Sequence, residues 1–444
     1  MSEQPSFPLP INAQADEPTG RYVITFADDR MTEGLAALKK EAGISRLPNA
    51  ADFAESALDL AQLDSAGGAI FPELGVAVVT LEEGALNSMM ALNREDSAIL
   101  DIEPERMFYA LGDGALPLAY LRGYRDAVNH LFDKAAGPAI EAAGADATAT
   151  FVDDAQSTWG LKATNVVNSR WTGRGIKVAV LDTGLDLQHP DFRGRLITSR
   201  SFITGEQVQD GNGHGTHCIG TACGSKDING RRYGIAREAE IFAGKVLSNA
   251  GSGPTAGILA GMEWAINSNC HVISMSLGNL VKTPSTAYTT IGQRALQRGS
   301  LIVAAAGNHF SRGNSDGTQP GTVGQPANSD SILAVASVNN QLGLLNPPTP
   351  RFSCKSGAGT GANVDIAGPG VAVYSSWPMN VSPRRYHSIS GTSMATPHVA
   401  GIAALYAQAF RVRGWQLWQM LTSRAQRLPL SSADVGSGLV QAPQ

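Results

Sequence analysis

From about Thr158 onward the chain repeats one pattern: a short, nearly unbroken apolar run, then a stretch with helical spacing. The runs are Ile176–Leu181, Ile241–Val246, Val272–Ser276, Leu301–Ala305, Ile332–Val335 and Val364–Ile366. Strands that are apolar on both sides leave no face for water, so these runs predict parallel strands covered on both faces. Helical patterns, for example Gly257–Asn267 and Ile291–Arg298, supply the cover. The expected architecture is a doubly wound α/β domain with a mostly parallel sheet. In such folds the chemistry gathers beyond the carboxyl ends of the strands.

Three segments place reactive side chains at such positions. Val178-Ala-Val-Leu-Asp-Thr-Gly184 ends a buried strand in an acid, Asp182. Asn212-Gly-His-Gly-Thr-His217 puts His214 in a Gly-rich approach to a helix. Ser390-Gly-Thr-Ser-Met-Ala-Thr-Pro397 runs Ser393 into the apolar helix Val399–Ala409. A serine hydroxyl is a weak nucleophile that needs a base for its proton, and the base needs an acid to fix its tautomer. A fourth segment, Ala304-Ala-Ala-Gly-Asn308, ends a strand in a side-chain amide. With the Ser393 N–H at a helix N-terminus, that amide can stabilise an oxyanion. Taken singly, Asp182 reads as a turn residue, His214 as a loop histidine, Ser393 as an N-cap and Asn308 as a turn former. Together they read as catalytic.

The N-terminal quarter follows a different grammar. Arg21–Phe26, Gly75–Leu81 and Ile99–Glu103 read as strands, with Ala69–Glu73 as a further candidate. Met31–Ala42 and Glu82–Asn93 read as helices, giving a ferredoxin-like βαββαβ unit. Leu116–Ala143 has one apolar stripe and predicts a helix, followed by a linker over Gly144–Gln156. The formal charge of −5 conceals an asymmetry. Residues 1–112 carry 7 Lys+Arg against 19 Asp+Glu, or −12, and the remainder 27 against 20, or +7. Opposite signs predict that the two parts dock on each other.

The basic residues form no stripe, so nucleic acid is not an expected partner. No apolar run is long enough for a membrane span. Four cysteines, scattered at 218, 223, 270 and 354, fit neither a disulfide framework nor a zinc site and are expected to be buried thiols. Met1–Pro10 shows neither a basic nor an apolar leader region, so the expectation is a cytoplasmic protein, with unconventional export as the alternative.

The motifs VLDTG with His189-Pro-Asp-Phe192, GHGTHC, Met275-Ser-Leu-Gly278, AAAGN and GTSMATPHVAG, followed by Gly436-Ser-Gly-Leu-Val440, carry a resemblance. In this order over residues 158–444 they resemble the subtilases, with GHGTHC and Gly251-Ser-Gly253 nearest the proteinase K branch. The resemblance implies a serine endopeptidase with Asp182 as orienting acid, His214 as base, Ser393 as nucleophile and Asn308 as oxyanion donor. His217 is left structural. It implies a substrate edge at Gly251, Ser252 and Gly253, and pocket walls from Ser276, Leu277, Gly278, Ala305 and Gly307. Gly324 would form a deep floor suited to large apolar or aromatic side chains. Met394 beside the nucleophile implies sensitivity to oxidation.

The resemblance also implies a calcium site at Asp191, with Asp227 and Asn229 as oxygen donors against a solvated turn as the alternative. It makes residues 21–112 an inhibitory propeptide that the enzyme cuts from itself. Residues 1–20 are then a disordered N-terminus, 113–156 a helix and linker with the processing site, and 157–444 the catalytic domain; the scission point is expected near Leu111 or within 144–156. The expected partners are polypeptide substrates and the chain's own propeptide. A binding protein on the same scaffold would lack reactive positions, and all four are present. A protease dedicated to a single maturation cleavage remains the alternative within the enzyme class.

Overall fold

The computed structural model describes residues 18–44, 47–49, 67–91, 97–111, 150–308, 321–342, 353–354 and 363–444. The predicted helix 116–143 and the first 17 residues lie outside them. Along the chain the strands are β1 (Pro18–Phe26), β2 (Gly68–Phe71), β3 (Val76–Thr80), β4 (Ile99–Ala110), β5 (Lys177–Asp182), β6 (Ile197–Ser201), β7 (Glu240–Lys245), β8 (Ser252–Pro254), β9 (Val272–Met275) and β10 (Leu277–Gly278). They continue as β11 (Leu301–Ala305), β12 (Leu333–Val338), β13 (Ile366–Pro369), β14 (Val373–Ser376) and β15 (Tyr386–Ile389).

Seven strands form one parallel sheet in the order β13-β12-β11-β9-β5-β7-β6. Successive side chains on a strand face opposite ways. Accordingly Val178 and Val180 of β5 join one core, with Cys218 and Ile219 of the helix His214–Cys223 and Val399 and Ile402 of the helix Thr392–Phe410. Ala179 and Leu181 join the other, with Ile258 and Met262 of Thr255–Asn267 and Ile291 of Thr286–Gln297. From β5 the chain winds to β6 and β7 on one side and to β9 and beyond on the other. Asp182 therefore stands at the carboxyl end of the strand where the winding reverses, the usual place for a site in such sheets. The predicted runs became strands with shifted ends; β6 (ITSRS) was missed because, as an edge strand, it is mostly not apolar.

The N-terminal unit is a four-stranded antiparallel sheet, order β4-β1-β3-β2, with the helices Met31–Ala42 and Glu83–Ala91. Ile24, Phe26, Val79 and Leu38 make its own small core. The opposite face of the sheet, Val23, Phe71, Val76 and Val78, belongs instead to the core of the large domain. Residues 18–20, expected to be disordered, begin β1. Residues 150–156, expected to be linker, pack on the large domain: the Phe151 N–H donates to the Asn340 carbonyl, and Lys162 pairs with Asp154 at 2.6 Å.

The opposite charges meet at this interface. The buried Glu105 carboxylate accepts from Arg21 Nε at 2.6 Å and from Ala256 N at 2.8 Å, at the start of the helix Thr255–Asn267. Glu103 accepts from Ser285 Oγ at 2.9 Å and Ala287 N at 3.0 Å, at the start of Thr286–Gln297. Both exploit the orphan N–H groups and positive dipole end of a helix. Arg294 donates to Asp28 at 2.6 Å and to the carbonyls of Phe26 and Leu74, and Arg298 pairs with Glu73.

Replacing Glu105 with Ala strips a buried ion pair and a helix cap at once. The transition in which the N-terminal unit is lost should fall by about 3 kcal/mol in denaturant titrations of the full chain. An unchanged midpoint would show that the apolar face alone holds the unit.

Candidate active site

Asp182 is fully buried at the end of β5, and its Oδ1 accepts from His214 Nδ1 at 2.8 Å. That bond fixes the tautomer: with Nδ1 protonated toward the carboxylate, Nε2 is the accepting nitrogen. Nε2 is buried and without a hydrogen-bond partner. The close approach of the two segments depends on Gly215, where a Cβ would run into the Gly184 carbonyl oxygen. Burial alone would pull the His214 pKa down; Asp182 and Cys218 together more than offset it, and the group lies well above its ordinary 6.5. His217, by contrast, is buried with Nε2 on the Val373 carbonyl at 2.9 Å, and burial pushes it down to about 3. It is a neutral structural histidine, as expected.

Ser393 sits in the first turn of the helix Thr392–Phe410, with Oγ donating to the Ser276 carbonyl at 2.9 Å. Its hydroxyl is thus held away from the open Nε2, a loose ground-state arrangement common before the reacting complex forms. Cys218 Sγ lies 3.9 Å from His214 Nδ1 and donates to the Ser393 carbonyl at 3.5 Å. Burial raises its pKa, and it stands at the Asp182 end of the imidazole ring. Among the described residues Asp182, His214 and Cys218 also form the one cluster with metal-ligand spacing.

Asn308 is oriented by Thr392, whose N–H and Oγ1 donate to Asn308 Oδ1 at 2.9 and 2.8 Å. Its Nδ2 therefore points outward, and there it donates to the carbonyl of Leu111 at 2.5 Å. The rest of Leu111 is equally well held. Its N–H donates to the Ser276 carbonyl at 3.2 Å, and Ala110 N to the Gly251 carbonyl at 2.9 Å. Upstream, β4 pairs antiparallel with both β8 and β10, Phe108 opposite Gly253 and Tyr109 opposite both Ser252 and Gly278. The Leu111 side chain lies against Gly278, where a Cβ would come within 2.9 Å of it. Leu277 is fully buried as Ala110's partner in the pairing.

The strand expected to end at Glu103 thus continues to Ala110 and fills the cleft. Of the remaining predicted pocket residues, Ala305 ends β11, Gly307 N donates to Thr392 Oγ1 at 3.2 Å, and Gly324 N donates to the Ala306 carbonyl at 3.2 Å. Sequence reasoning missed Thr392, although a hydroxyl beside the serine was a legible signal. It also missed Tyr288, which meets Phe108 edge-on at 5.5 Å. That contact lies three residues upstream of Leu111 and has no local motif.

The predicted cation ligands do not fit a divalent ion. Asp191 already accepts from Tyr233 OH at 2.7 Å and Tyr386 OH at 3.0 Å. Asp227 accepts from Asn229 N and Arg231 N, both at 2.9 Å, from Tyr374 OH at 3.0 Å and from Arg231 Nε at 3.3 Å. The Asn229 side chain is exposed, and the Arg231 cation stands where an ion would need to sit. Oxygens engaged by donors and faced by a guanidinium hold no calcium.

The profile of the subtilase family matches residues 173–438. The chain belongs to that family. It is 37% identical over 282 residues to subtilisin DY of Bacillus licheniformis, covering 63% of this chain and 94% of the relative. It is 40% identical over 247 residues to subtilisin E of Bacillus subtilis, covering 55% of this chain and 58% of that protein, less than two thirds of its length. The alkaline protease of Alkalihalobacillus alcalophilus is 39% identical over 313 residues, 69% of this chain and 73% of the relative. The protein is a subtilisin-like serine endopeptidase on an α/β scaffold, and its chemistry needs no cofactor. The cytoplasmic expectation does not stand, because the subtilisins it matches are secreted extracellular proteases. No helix among the described residues is long and apolar enough to cross a membrane.

A histidine acting as base takes a proton only when neutral, so with His214 in that role kcat/KM should rise with pH along a limb centred above 6.5. Asp182→Asn should lower kcat by about 10⁴-fold and move that limb to lower pH. A limb that stays in place in the variant would assign the shift to another group. Asn308→Ala should lower kcat by about 10²–10³-fold with KM nearly unchanged, read from initial rates on a peptide substrate.

Proposed function

We propose that the enzyme is made as a zymogen that cuts itself between Leu111 and Gly112, and that Ser393, His214, Asp182 and Asn308 act as nucleophile, base, orienting acid and oxyanion donor. The observation carrying this reading is the Leu111 carbonyl: it lies on the Asn308 amide while its strand is paired on both edges. Extended backbone held between two strands is how a peptide is presented for hydrolysis. Ser393 Oγ attacks that carbonyl carbon as His214 Nε2 takes the proton. The developing oxyanion is met by Asn308 Nδ2 and the N–H of Ser393 at the helix N-terminus. The intermediate collapses by breaking the C–N bond, His214 returns the proton to the amine of Gly112, and water releases Leu111 from the ester.

Residues 21–111 then act as the inhibitory propeptide. Their acidic residues on two helix starts and on Arg294 and Arg298 keep the cut strand in the cleft. The fit of Leu111 against Gly278 supports a preference for large apolar or aromatic residues before the scissile bond. Cys218 in GHGTHC, set against the base, supports placing the chain nearest the proteinase K branch.

Labelling with a sulfonyl fluoride tests the assignment. One adduct should form on Ser393 with loss of turnover, and Ser393→Ala should show neither adduct nor activity. An adduct elsewhere, or turnover by the variant, rejects the nucleophile. Substrates with Leu or Phe before the cut should be hydrolysed far faster than those with Lys or Asp.

The docked propeptide covers Glu263, whose carboxylate accepts from Glu73 N at 3.0 Å. Burial, reinforced by the Glu73 carboxylate and opposed by the Glu73 N–H and Arg298, lifts its pKa from 4.5 to about 7. Release returns it to water, so the docked form binds more protons between those values. Docking is thus favoured below the ordinary value and weakened as pH rises through about 7. The cleaved complex should lose its propeptide on size exclusion at least about tenfold more readily at about pH 8 than at about pH 5, and Glu263→Gln should flatten the difference.

A further inference from the structure

We propose that Asp210 is a positioning residue that ties the turn carrying Asp182 to the helix start carrying His214; this rests on the triad assigned above. Asp210 is fully buried and touches none of the reacting atoms. Its Oδ1 accepts from Thr183 Oγ1 at 3.0 Å, from Asn212 N at 3.0 Å and from Gly213 N at 2.9 Å. Its Oδ2 accepts from Thr216 N at 2.8 Å and from Thr216 Oγ1 at 2.7 Å. Thr183 follows Asp182 in the chain, and residues 212–216 bracket His214. One carboxylate thus grips both partners of the 2.8 Å Asp182–His214 bond from outside it.

Thr183 is the relay. Its N–H donates to Asp182 Oδ1 at 2.7 Å, and its Oγ1 accepts from Gly215 N at 2.8 Å while donating to Asp210. Its carbonyl accepts at 2.6 Å from Lys245 Nζ, a fully buried ammonium also held by Asn249 at 2.9 Å and Glu206 at 3.1 Å. A closed ring of bonds results: Asp182, Thr183, Asp210, the His214 helix start and back to Asp182.

Every group on Asp210 donates to it, and although burial still raises its pKa, the donors partly offset that cost. Burying an anion is unfavourable, and packing alone would be served by an apolar residue of similar size. Five donors drawn from two separate segments serve to hold those segments in fixed register. A displacement of about 1 Å between acid and base lowers a rate by about 10²-fold, so the effect of the brace appears in turnover.

The test uses the full chain after maturation, with active sites counted by the final extent of sulfonyl fluoride labelling. Asp210→Asn should lower kcat per labelled site by about 10–100-fold while KM stays within about twofold. Thr183→Ala should lower it in the same sense, and Thr183→Ser, which keeps the hydroxyl, should restore it. Turnover per labelled site equal to wild type in Asp210→Asn, with only the number of sites reduced, would overturn the proposal. If Asp210→Asn fails to fold, the Thr183 pair decides: equal turnover in the Ala and Ser variants overturns it. Full turnover by Ser393→Ala would instead overturn the triad. An inactive Ser393→Ala beside a fully active Asp210→Asn rejects only the brace.

Discussion

The structure turns on a hydrogen bond made inside a protein interior, between the Asp182 carboxylate and the imidazole of His214. A buried carboxylate is tolerated only when donors surround it. Here the His214 imidazole and the Thr183 N–H both donate to Oδ1, while Oδ2 is buried without a partner. The parallel sheet delivers the acid to the reversal point of the winding, and the glycine at 215 lets the histidine's helix come close enough to meet it. The base's other nitrogen is left open, and Ser393 stands nearby, held for the moment on the Ser276 carbonyl. One polar contact thus fixes the imidazole's orientation and, under the proposed function, where the proton goes.

The second theme is how one segment satisfies another's backbone. β8 and β10 are short edges that would face water without a partner, and β4 fills the slot between them. Exposed edges recruit strands, which is a hazard in most proteins and, under the proposed function, the means of substrate binding in this one. Acidic side chains from the same strand settle on the starts of two helices, so that hydrogen bonding, charge and apolar burial all favour one docked arrangement. The Leu111 carbonyl is placed at the Asn308 amide by that arrangement as a whole.

Much of this was legible in the sequence, because the triad motifs lie at strand and helix ends, where local patterning is strongest. Asp182 follows an apolar run, His214 a glycine-rich turn, and Ser393 opens an apolar helix, so each could be read from about ten residues. What was not legible depends on partners far along the chain. β4 looked finished at Glu103 because Glu-Pro-Glu-Arg breaks the apolar alternation; it continues because another domain offers two edges and two helix starts. Asp191 and Asp227 have the chemistry of cation ligands, yet Tyr374 and Tyr386 reach them from 147 to 195 positions away and take up their oxygens. Asp210 went unremarked for the same reason: its relay partner Thr183 is 27 positions upstream.

The most direct test of the whole account is the intact mass of the purified wild type beside Ser393→Ala. The wild type should yield a fragment whose last residue is Leu111, and the variant should remain a single chain of 46.4 kDa. A wild type cut only at other bonds, or a Ser393→Ala chain cut after Leu111, would contradict it.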